Sequence, residues 1–486
     1  MQIKEKLKQA VGTELVSDSP ETLKAYSKDY SLLPPGMPNY AVLPKSAEEV
    51  QKVIKIANEH LIPVIPCSSE VHFTGSTIPK QGGIILDLNR MNRIPEIDER
   101  NRKAKIEPGV TWKEFQAALG EHNFMMMTPL LPHSKKSVLT SLLEREPLIN
   151  PRYEYGDPLL AMEIVLPNGD LFKTGSASAP GYPQSFSEGA QPQGPGTIDF
   201  YRLLQGAQGT MGVVTWANVK VENLPKISKT FFIPFPEIED AIEPIYRIQR
   251  RRIGYECFLM DKFNLALIVA ERQPEDFESL IATLPPWILI LILSAAGRRP
   301  EERIEYEEEA LTEIMKVEFP FLEIWEALPG VPGLEMQLPQ MLKEPWPEEV
   351  TYWKFRHKGA CQDLFCITTL DRVPQFVTVV GEIAGRHGYD VTALGHYVQP
   401  IEFGAGCHCE FNFYYDPQNP VEVERIKVLY REAVENLLNM GALFTRPYGI
   451  LSDLVYSRAT SYTVTLRKIK NIFDPNNIMN PGNLCF

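Results

Sequence analysis

The sequence predicts an α+β fold with more than one core. Three observations carry this. Residues 40–66 hold a compact strand–helix–strand signal. Residues 225–440 alternate strand and helix patterns in the manner of an antiparallel sheet covered by helices. The chain has 486 residues, is 44% apolar and contains 41 prolines. That is enough apolar material for two or three domains, and the prolines favour a loop-rich mixed fold over a helical bundle.

The first residues, Met1 to Lys8, form a charged amphipathic helix without the apolar segment of a secretory signal. Ser19-Pro20-Glu21 opens a second helix, serine at the N-cap and proline in the first turn. Residues 40–44 read as a short strand. Ser46 and Glu49 form a capping box ahead of a helix over 48–60, whose Val50, Val53, Ile54 and Ala57 share one face. Residues 62–66 are the returning strand. A loop over 67–76 follows, then strands at 83–88 and 104–110, and Thr111 caps a helix to Leu119. Arg145, Arg152, Tyr153 and Tyr155 stand in a loop over 145–158, where an arginine pairs with phosphate, carboxylate or a structural partner. Residues 175–197, rich in Gly, Pro, Ser and Gln, form a long loop.

That loop leads to Gly206, Gly209 and Gly212, which precede an apolar strand over 213–221. A nicotinamide dinucleotide fingerprint has the reverse order, strand first and helix after. Beyond residue 225 the pattern predicts strands at 228–235, 255–260, 263–270 and 287–293 and helices at 237–252, 274–283 and 300–317. A proline-rich connection over 329–348 follows. Strands at 362–369, 396–399 and 408–415 and helices at 373–387 and 420–440 complete the pattern.

A net charge of −13 argues against nucleic acid or an anionic membrane as partner. The most apolar run, Trp287 to Leu293, is far shorter than the roughly 20 residues of a membrane span. Seven scattered cysteines with no export signal suggest free thiols and a cytoplasmic protein.

Several segments together resemble one family. Pro44-Lys45-Ser46, Ile62-Pro63-Val64-Ile65-Pro66, Ile85-Leu86-Asp87-Leu88, Glu107-Pro108-Gly109-Val110-Thr111-Trp112, Leu159 to Asp170, Leu204 to Val221 and Ile472 to Gly482 occur in order along the chain. They are similar to the vanillyl-alcohol oxidase / p-cresol methylhydroxylase superfamily. The resemblance implies a two-subdomain FAD-binding domain at 1–224, an antiparallel, helix-covered cap domain at 225–440, and a C-terminal segment at 441–486 that returns to the first domain. It further implies cofactor contacts from Pro66, Ser68, Ser69, Glu70, Val71, His72, Gly75 and Ser76 in the first loop. A second loop would contribute Pro129, Val138, Thr140 and Ser141. The glycine loop would contribute Gly206, Gly209, Thr210, Gly212 and Val214, and the C-terminal signature Asn480.

The chain departs from the family pattern in both early loops. Family members usually place glycines there; here stand Cys67-Ser68-Ser69-Glu70-Val71-His72 and Ser137-Val138-Leu139-Thr140-Ser141. Serine and threonine hydroxyls can replace glycine amides as donors, whereas a Glu70 carboxylate facing a diphosphate would repel it. Either Glu70 points to solvent or the flavin is bound differently. His72 and His133 are rival points of covalent attachment, and non-covalent FAD is the expectation.

The family's 2-hydroxyacid dehydrogenases carry a metal-binding His-rich motif. Here Gly395-His396 and His408 are too far apart, with no aspartate between, and Cys407 and Cys409 face away from His408 on a strand, so no metal is expected. The C-terminal part is closer to the aryl-alcohol and alkylphenol branch. By position, Arg446 is the cation near the flavin and Tyr448 orients the substrate oxygen. Tyr397, His396 or Glu410 is the base. The implied activity is oxidation of an alcohol, alkylphenol or hydroxy acid by hydride transfer to flavin N5. The alternatives are a flavin-holding scaffold subunit of an electron-transfer complex and a 2-hydroxyacid dehydrogenase with a rebuilt site. Electrons would leave to dioxygen, a cytochrome or an iron–sulfur subunit, and the chain would assemble as a homo- or hetero-oligomer. With no Cys-x-x-Cys-x-x-Cys run, any cluster sits on another subunit.

Overall fold

The computed structural model describes residues 3–152, 158–178 and 200–486. Tyr153, Tyr155 and most of the loop at 175–197 lie outside the described residues. The first sheet has Val16–Ser17, Tyr40–Val42, Ile84–Asp87 and Val64–Cys67 in that order. Tyr40–Val42 and Val64–Cys67 each run parallel to Ile84–Asp87, which lies between them. The strand that returns after the helix Ala47–Glu59 is therefore one position removed from its starting strand. Ser46 caps this helix by accepting from the Glu49 amide, and Val50, Val53, Ile54 and Ala57 are buried, as the apolar spacing requires.

The second sheet is antiparallel, ordered Glu96–Asp98, Lys103–Ile106, Val213–Lys220, Leu159–Val165, Leu171–Lys173. Gly212 sits where Val213–Lys220 begins. A Cβ there would lie 2.8 Å from both Ile164 Cγ2 and the Val165 carbonyl oxygen, so only glycine admits the neighbouring strand this closely.

The third sheet is antiparallel and six-stranded: Ile227–Phe235, Trp287–Ala295, Glu256–Asp261, Leu394–Ile401, Gly406–Tyr415, Ala360–Thr368. Strand alternation splits its side chains between two cores. Cys257, Leu259, Val398, Cys409 and Phe411 pack against the long helices Ile238–Arg250, Pro300–Glu318, Val373–Arg386 and Pro420–Asn439. Phe258, Met260, Ile290 and Tyr397 face the other way. The helices Lys262–Val269 and Leu334–Met341 cover part of that second face.

Residues 263–270 were expected as a strand and are a helix. The Asp261 carboxylate caps it by accepting from the Asn264 amide, and it is apolar on nearly every side. A short run buried all round has no period that separates helix from strand. The stretch at 137–141 is likewise a short helix, Val138–Leu143, with Ser137 as its cap.

The C-terminal signature closes on the first sheet. The Val64 amide donates to the Ile478 carbonyl at 2.7 Å, and the Asn480 amide donates to the Val64 carbonyl at 2.9 Å. No helix among the described residues is long and apolar enough to cross a membrane.

Candidate active site

A first cavity, about 790 Å³ of empty space, lies where the loops after Val64–Cys67, before Val138–Leu143 and before Val213–Lys220 converge. Pro66, Ser68, His72, Ser76, Thr140, Gly209, Gly212 and Val214 are on its wall, each a residue the sequence singles out. Gly209 adopts φ +70°, and a Cβ there would sit 3.1 Å from the Pro66 ring. Both early loops meet through their hydroxyls: Ser68 Oγ and Thr140 Oγ1 are 2.5 Å apart.

Other expected contacts stand behind this wall. Ser69 Oγ accepts from the Ser137 amide at 2.7 Å and holds the two loops together. The Trp112 indole donates to Ser141 Oγ at 3.0 Å, and Val138 is fully buried in the core under the second sheet. Val71 is buried, Gly75 packs against Leu33, and Thr210 turns its hydroxyl to the Ala207 carbonyl. Gly206 lies beside Arg145, which donates to the Gln205 carbonyl at 3.0 Å. Asn480 uses its side-chain amide to bridge loops, donating to the Ser76 carbonyl at 2.8 Å and the Gln208 carbonyl at 2.7 Å.

Glu70 is largely exposed and pairs with Lys135 at 3.0 Å, so its carboxylate leaves the cavity. The His72 ring stands 3.0 Å from Cys67 Sγ, and burial, with Lys136 adding to it, pushes the imidazole down to about 4. The same burial, with Asp87 nearby, holds the Cys67 thiol far above its ordinary range, so both partners are neutral at pH 7.

The cavity fits FAD. It is mostly apolar along Leu88, Leu139, Leu143, Leu204 and Met211, with hydroxyls at Ser68, Ser76, Thr77 and Thr140. Gln208 Oε1 on its wall is buried without a donor, which a polyol or ribose hydroxyl would supply. Among the described residues the one carboxylate on this wall, Glu144, shares Lys136 at 3.2 Å with Glu146.

A second cavity of about 750 Å³ lies between these loops and the third sheet. Pro129, expected as a cofactor contact, lines this one. Phe365, Glu410 and Tyr397 are cross-strand partners in one row and face it. Glu410 accepts from Lys354 at 2.7 Å and from Asn412 at 2.7 Å, and stands 2.9 Å from His408 Nε2. Lys354 and His408 overcome the cost of burial and hold this carboxyl well below its ordinary range. It is therefore a poor proton acceptor. Tyr397 donates to Gln399 at 2.9 Å.

His396 does not join this group. It pairs across the strands with Phe411 on the helix-covered face, beside Trp287, with Nδ1 3.0 Å from Asp261. Arg446 does join it. Its guanidinium is buried 3.8 Å above the Phe365 ring, and its Nε has no hydrogen-bond partner. Tyr448 does not line the second cavity; it lines a third one, which Phe365 also lines.

Sequence reasoning missed Lys136, Glu144 and Glu146. Lys136 is buried between the two carboxylates, on the wall between the first and second cavities. The alternation Glu144-Arg145-Glu146 beside a lysine pair was the available signal. Also missed were Lys354 and the aromatic wall that Phe73 and Tyr352 form with His133, whose rings lie within 6.4 Å of one another. Among the described residues, no group of three or more His, Cys, Asp or Glu side chains could hold a metal ion.

Residues 38–175 match the family described as FAD binding domain, and residues 366–484 match FAD linked oxidases, C-terminal domain. The chain is 25% identical to the glycolate oxidase subunit GlcD of Bacillus subtilis, over 99% of this chain and 96% of that one. It is also 25% identical to the 4-cresol dehydrogenase (hydroxylating) flavoprotein subunit of Pseudomonas putida, over 92% of this chain and 87% of that one. Among solved structures, p-cresol methylhydroxylase with substrate bound superimposes with a TM-score of 0.84 at 20% identity, covering 100% of this chain and 96% of that one. The 4-ethylphenol oxidase from Gulosibacter chungangensis gives 0.84 at 19% identity, covering 99% and 96%. With an FAD-binding domain, an FAD-linked oxidase C-terminal domain and the p-cresol methylhydroxylase fold in one chain, the protein belongs to the FAD-linked oxidases and dehydrogenases.

Proposed function

We propose that the protein oxidises a phenolic substrate in the second cavity, with FAD held non-covalently in the first. The observation that carries this is the pairing of aromatic walls with one unsatisfied cation. Phe73, Tyr352, Phe365 and Tyr397 enclose the cavity, and the buried Arg446 lacks a partner at Nε. The carboxylates there each have a lysine within ion-pair distance, Glu146 beside Lys136 and Glu410 and Asp363 sharing Lys354, while none is hydrogen-bonded to Arg446. A flat ring carrying an anionic oxygen satisfies both features.

Bound FAD supplies a two-electron acceptor for the hydride leaving the substrate carbon. The chain's own work is placement and charge. Arg446 holds the phenolate oxygen and stabilises negative charge beside the Phe365 ring. Tyr397 and Tyr352 fix the plane of the ring. Lys354 and His408 hold Glu410 in place on the wall of the cavity. We assign His396 no part in catalysis and Glu410 a positioning part. Tyr448 lines the third cavity and not the second, and we assign it no contact with the substrate.

A hydroxy acid is the second reading, favoured by the likeness to the glycolate oxidase subunit, because a carboxylate also satisfies Arg446. The experiment is anaerobic mixing of the yellow protein with 4-methylphenol, 4-ethylphenol, benzyl alcohol, glycolate and D-lactate. Bleaching by the phenols alone supports the first reading, and bleaching by the hydroxy acids alone rejects it. Acid precipitation tests the attachment: the flavin is expected in the supernatant, and flavin in the pellet would show a covalent link.

A further inference from the structure

Asn412 is fully buried behind the second cavity, on the face of its strand that also carries Glu410 and Tyr414. Asp363 is its cross-strand partner on one side and Gly395 on the other. The Asn412 amide nitrogen donates to Asp363 and to Glu410, at 2.7 Å each. Lys354 donates to the same two carboxylates, at 2.5 Å and 2.7 Å. One ammonium and one amide thus hold two carboxylates between them in a closed ring. Lys354, Asp363 and Glu410 line the cavity, and Asn412 stands behind them. The ring is anchored from the far side. The Asn412 side-chain oxygen accepts from Asn264 at 2.7 Å, and the Asn264 oxygen accepts from the Tyr414 hydroxyl at 2.7 Å. Asn264 belongs to the helix Lys262–Val269 and reaches the sheet only because residue 395 is glycine. A Cβ there would lie 2.0 Å from Asn264 Oδ1.

Two carboxylates that share one lysine repel each other, and a donor bonded to both offsets that repulsion. Taking the phenolic reading of the second cavity as its basis, we propose that Asn412 is a positioning residue for the oxidation. It fixes the Lys354 ammonium and the Glu410 carboxylate on the cavity wall, and Asn264 and Gly395 hold it in place. None of these three touches the substrate. Without Asn412 the carboxylates separate, Lys354 follows one of them, and the charges around the substrate shift.

The test is anaerobic stopped-flow reduction of the flavin-loaded protein by 4-ethylphenol, which reads the limiting rate and the apparent Kd separately. Asn412→Leu keeps the volume and removes both donors. It should lower the limiting rate by about 10²-fold, the cost of misplacement by roughly 1 Å, with Kd changed less than about threefold and flavin content unchanged. Gly395→Ala alters no residue of the ring and should act in the same direction by crowding Asn264. Tyr414→Phe removes only the outermost hydroxyl and should lower the rate by a smaller factor in a folded protein. The parent's rate in every variant that holds flavin, or a rate that falls only in step with flavin content and phenol affinity, would overturn the proposal. If glycolate or D-lactate bleaches the parent and no phenol does, the phenolic reading falls, and the same comparison with that acid decides Asn412 on its own. A parent that none of these substrates bleaches would overturn both.

Discussion

Arg446 is the residue on which the proposed chemistry turns. Its guanidinium is buried, stacked on Phe365 and incompletely hydrogen-bonded. Arg446→Met keeps much of the packing volume and removes the charge. It should lower kcat/KM for the phenolic substrate by about 10²- to 10³-fold, the loss seen when one charge-stabilising donor is removed from an active site. Arg446→Lys should recover only part, because an ammonium lacks the planar fork. Steady-state kinetics on the flavin-loaded variants checks both.

A second residue prediction concerns pH. Glu256 is almost fully buried, its Oε2 has no partner, and Lys343 lies 3.8 Å away. Burial wins over that lysine and pushes the carboxyl up from 4.5 to about 7. Between those two values the folded protein holds a proton that the unfolded chain has released. Stability therefore falls as pH rises through this window, by at most about 3 kcal/mol. Glu256→Gln should flatten that part of the profile in chemical denaturation at stepped pH. An unchanged slope would show that Glu256 is not its source.

Among the elements, the C-terminal signature organises the cofactor loops without touching the first cavity. Lys470, buried on the helix Thr460–Phe473, donates to the Thr210 carbonyl at 2.6 Å, to Asp474 at 2.5 Å and to the Met479 carbonyl at 3.1 Å. One ammonium thus ties the glycine loop to the signature, and Asn480 ties both to Ser76. Lys470→Met would leave Asp474 buried and unpaired, so a loss of about 3–5 kcal/mol is expected. Flavin should also be retained less well on gel filtration. Normal stability and normal flavin content together would contradict this role.

Legibility in the sequence followed the same elements. The loops were visible because glycines, capping residues and the Asp474–Gly482 run are local signals. Which residue of a loop faces the ligand was not. Ser68 and Thr140 line the first cavity while Ser69 and Ser141, their chain neighbours, brace it from behind. On the strand Leu394–Ile401 the alternation rule separates His396 from Tyr397, and it was available from the sequence alone. What the sequence could not supply was the sense of that alternation, which depends on where the helices pack. The buried Lys136–Glu144–Glu146 and Lys354–Asp363–Glu410 sets were hidden for a related reason. Each joins charges whose partners are decided by tertiary contact, and a charged residue read alone defaults to the surface.

At the scale of the molecule, three sheets and a returning C-terminus place a cavity carrying several hydroxyls near an aromatic one, the two linked through the Lys136–Glu144 pair. This arrangement accounts for the early loops having exchanged glycine for serine and threonine. Side-chain hydroxyls from two loops now meet at Ser68 and Thr140, while Glu70 is drawn outward by Lys135. The double variant Ser68→Ala/Thr140→Ala should therefore weaken FAD binding by about 10-fold or more, two lost hydrogen bonds at about 1 kcal/mol each. Titration of the apoprotein with FAD would read it. Affinity equal to that of the parent would show that these hydroxyls do not hold the cofactor.

The central claim is that Arg446 and its aromatic surroundings make this a phenol-oxidising flavoprotein. Its most direct test is the visible spectrum of the purified protein under anaerobic conditions as 4-ethylphenol is added. A yellow protein is expected, whose flavin bands bleach stoichiometrically with the phenol and do so about 10²- to 10³-fold more slowly in the Arg446→Met variant. A protein that bleaches with glycolate or D-lactate and stays yellow with every phenol would contradict it.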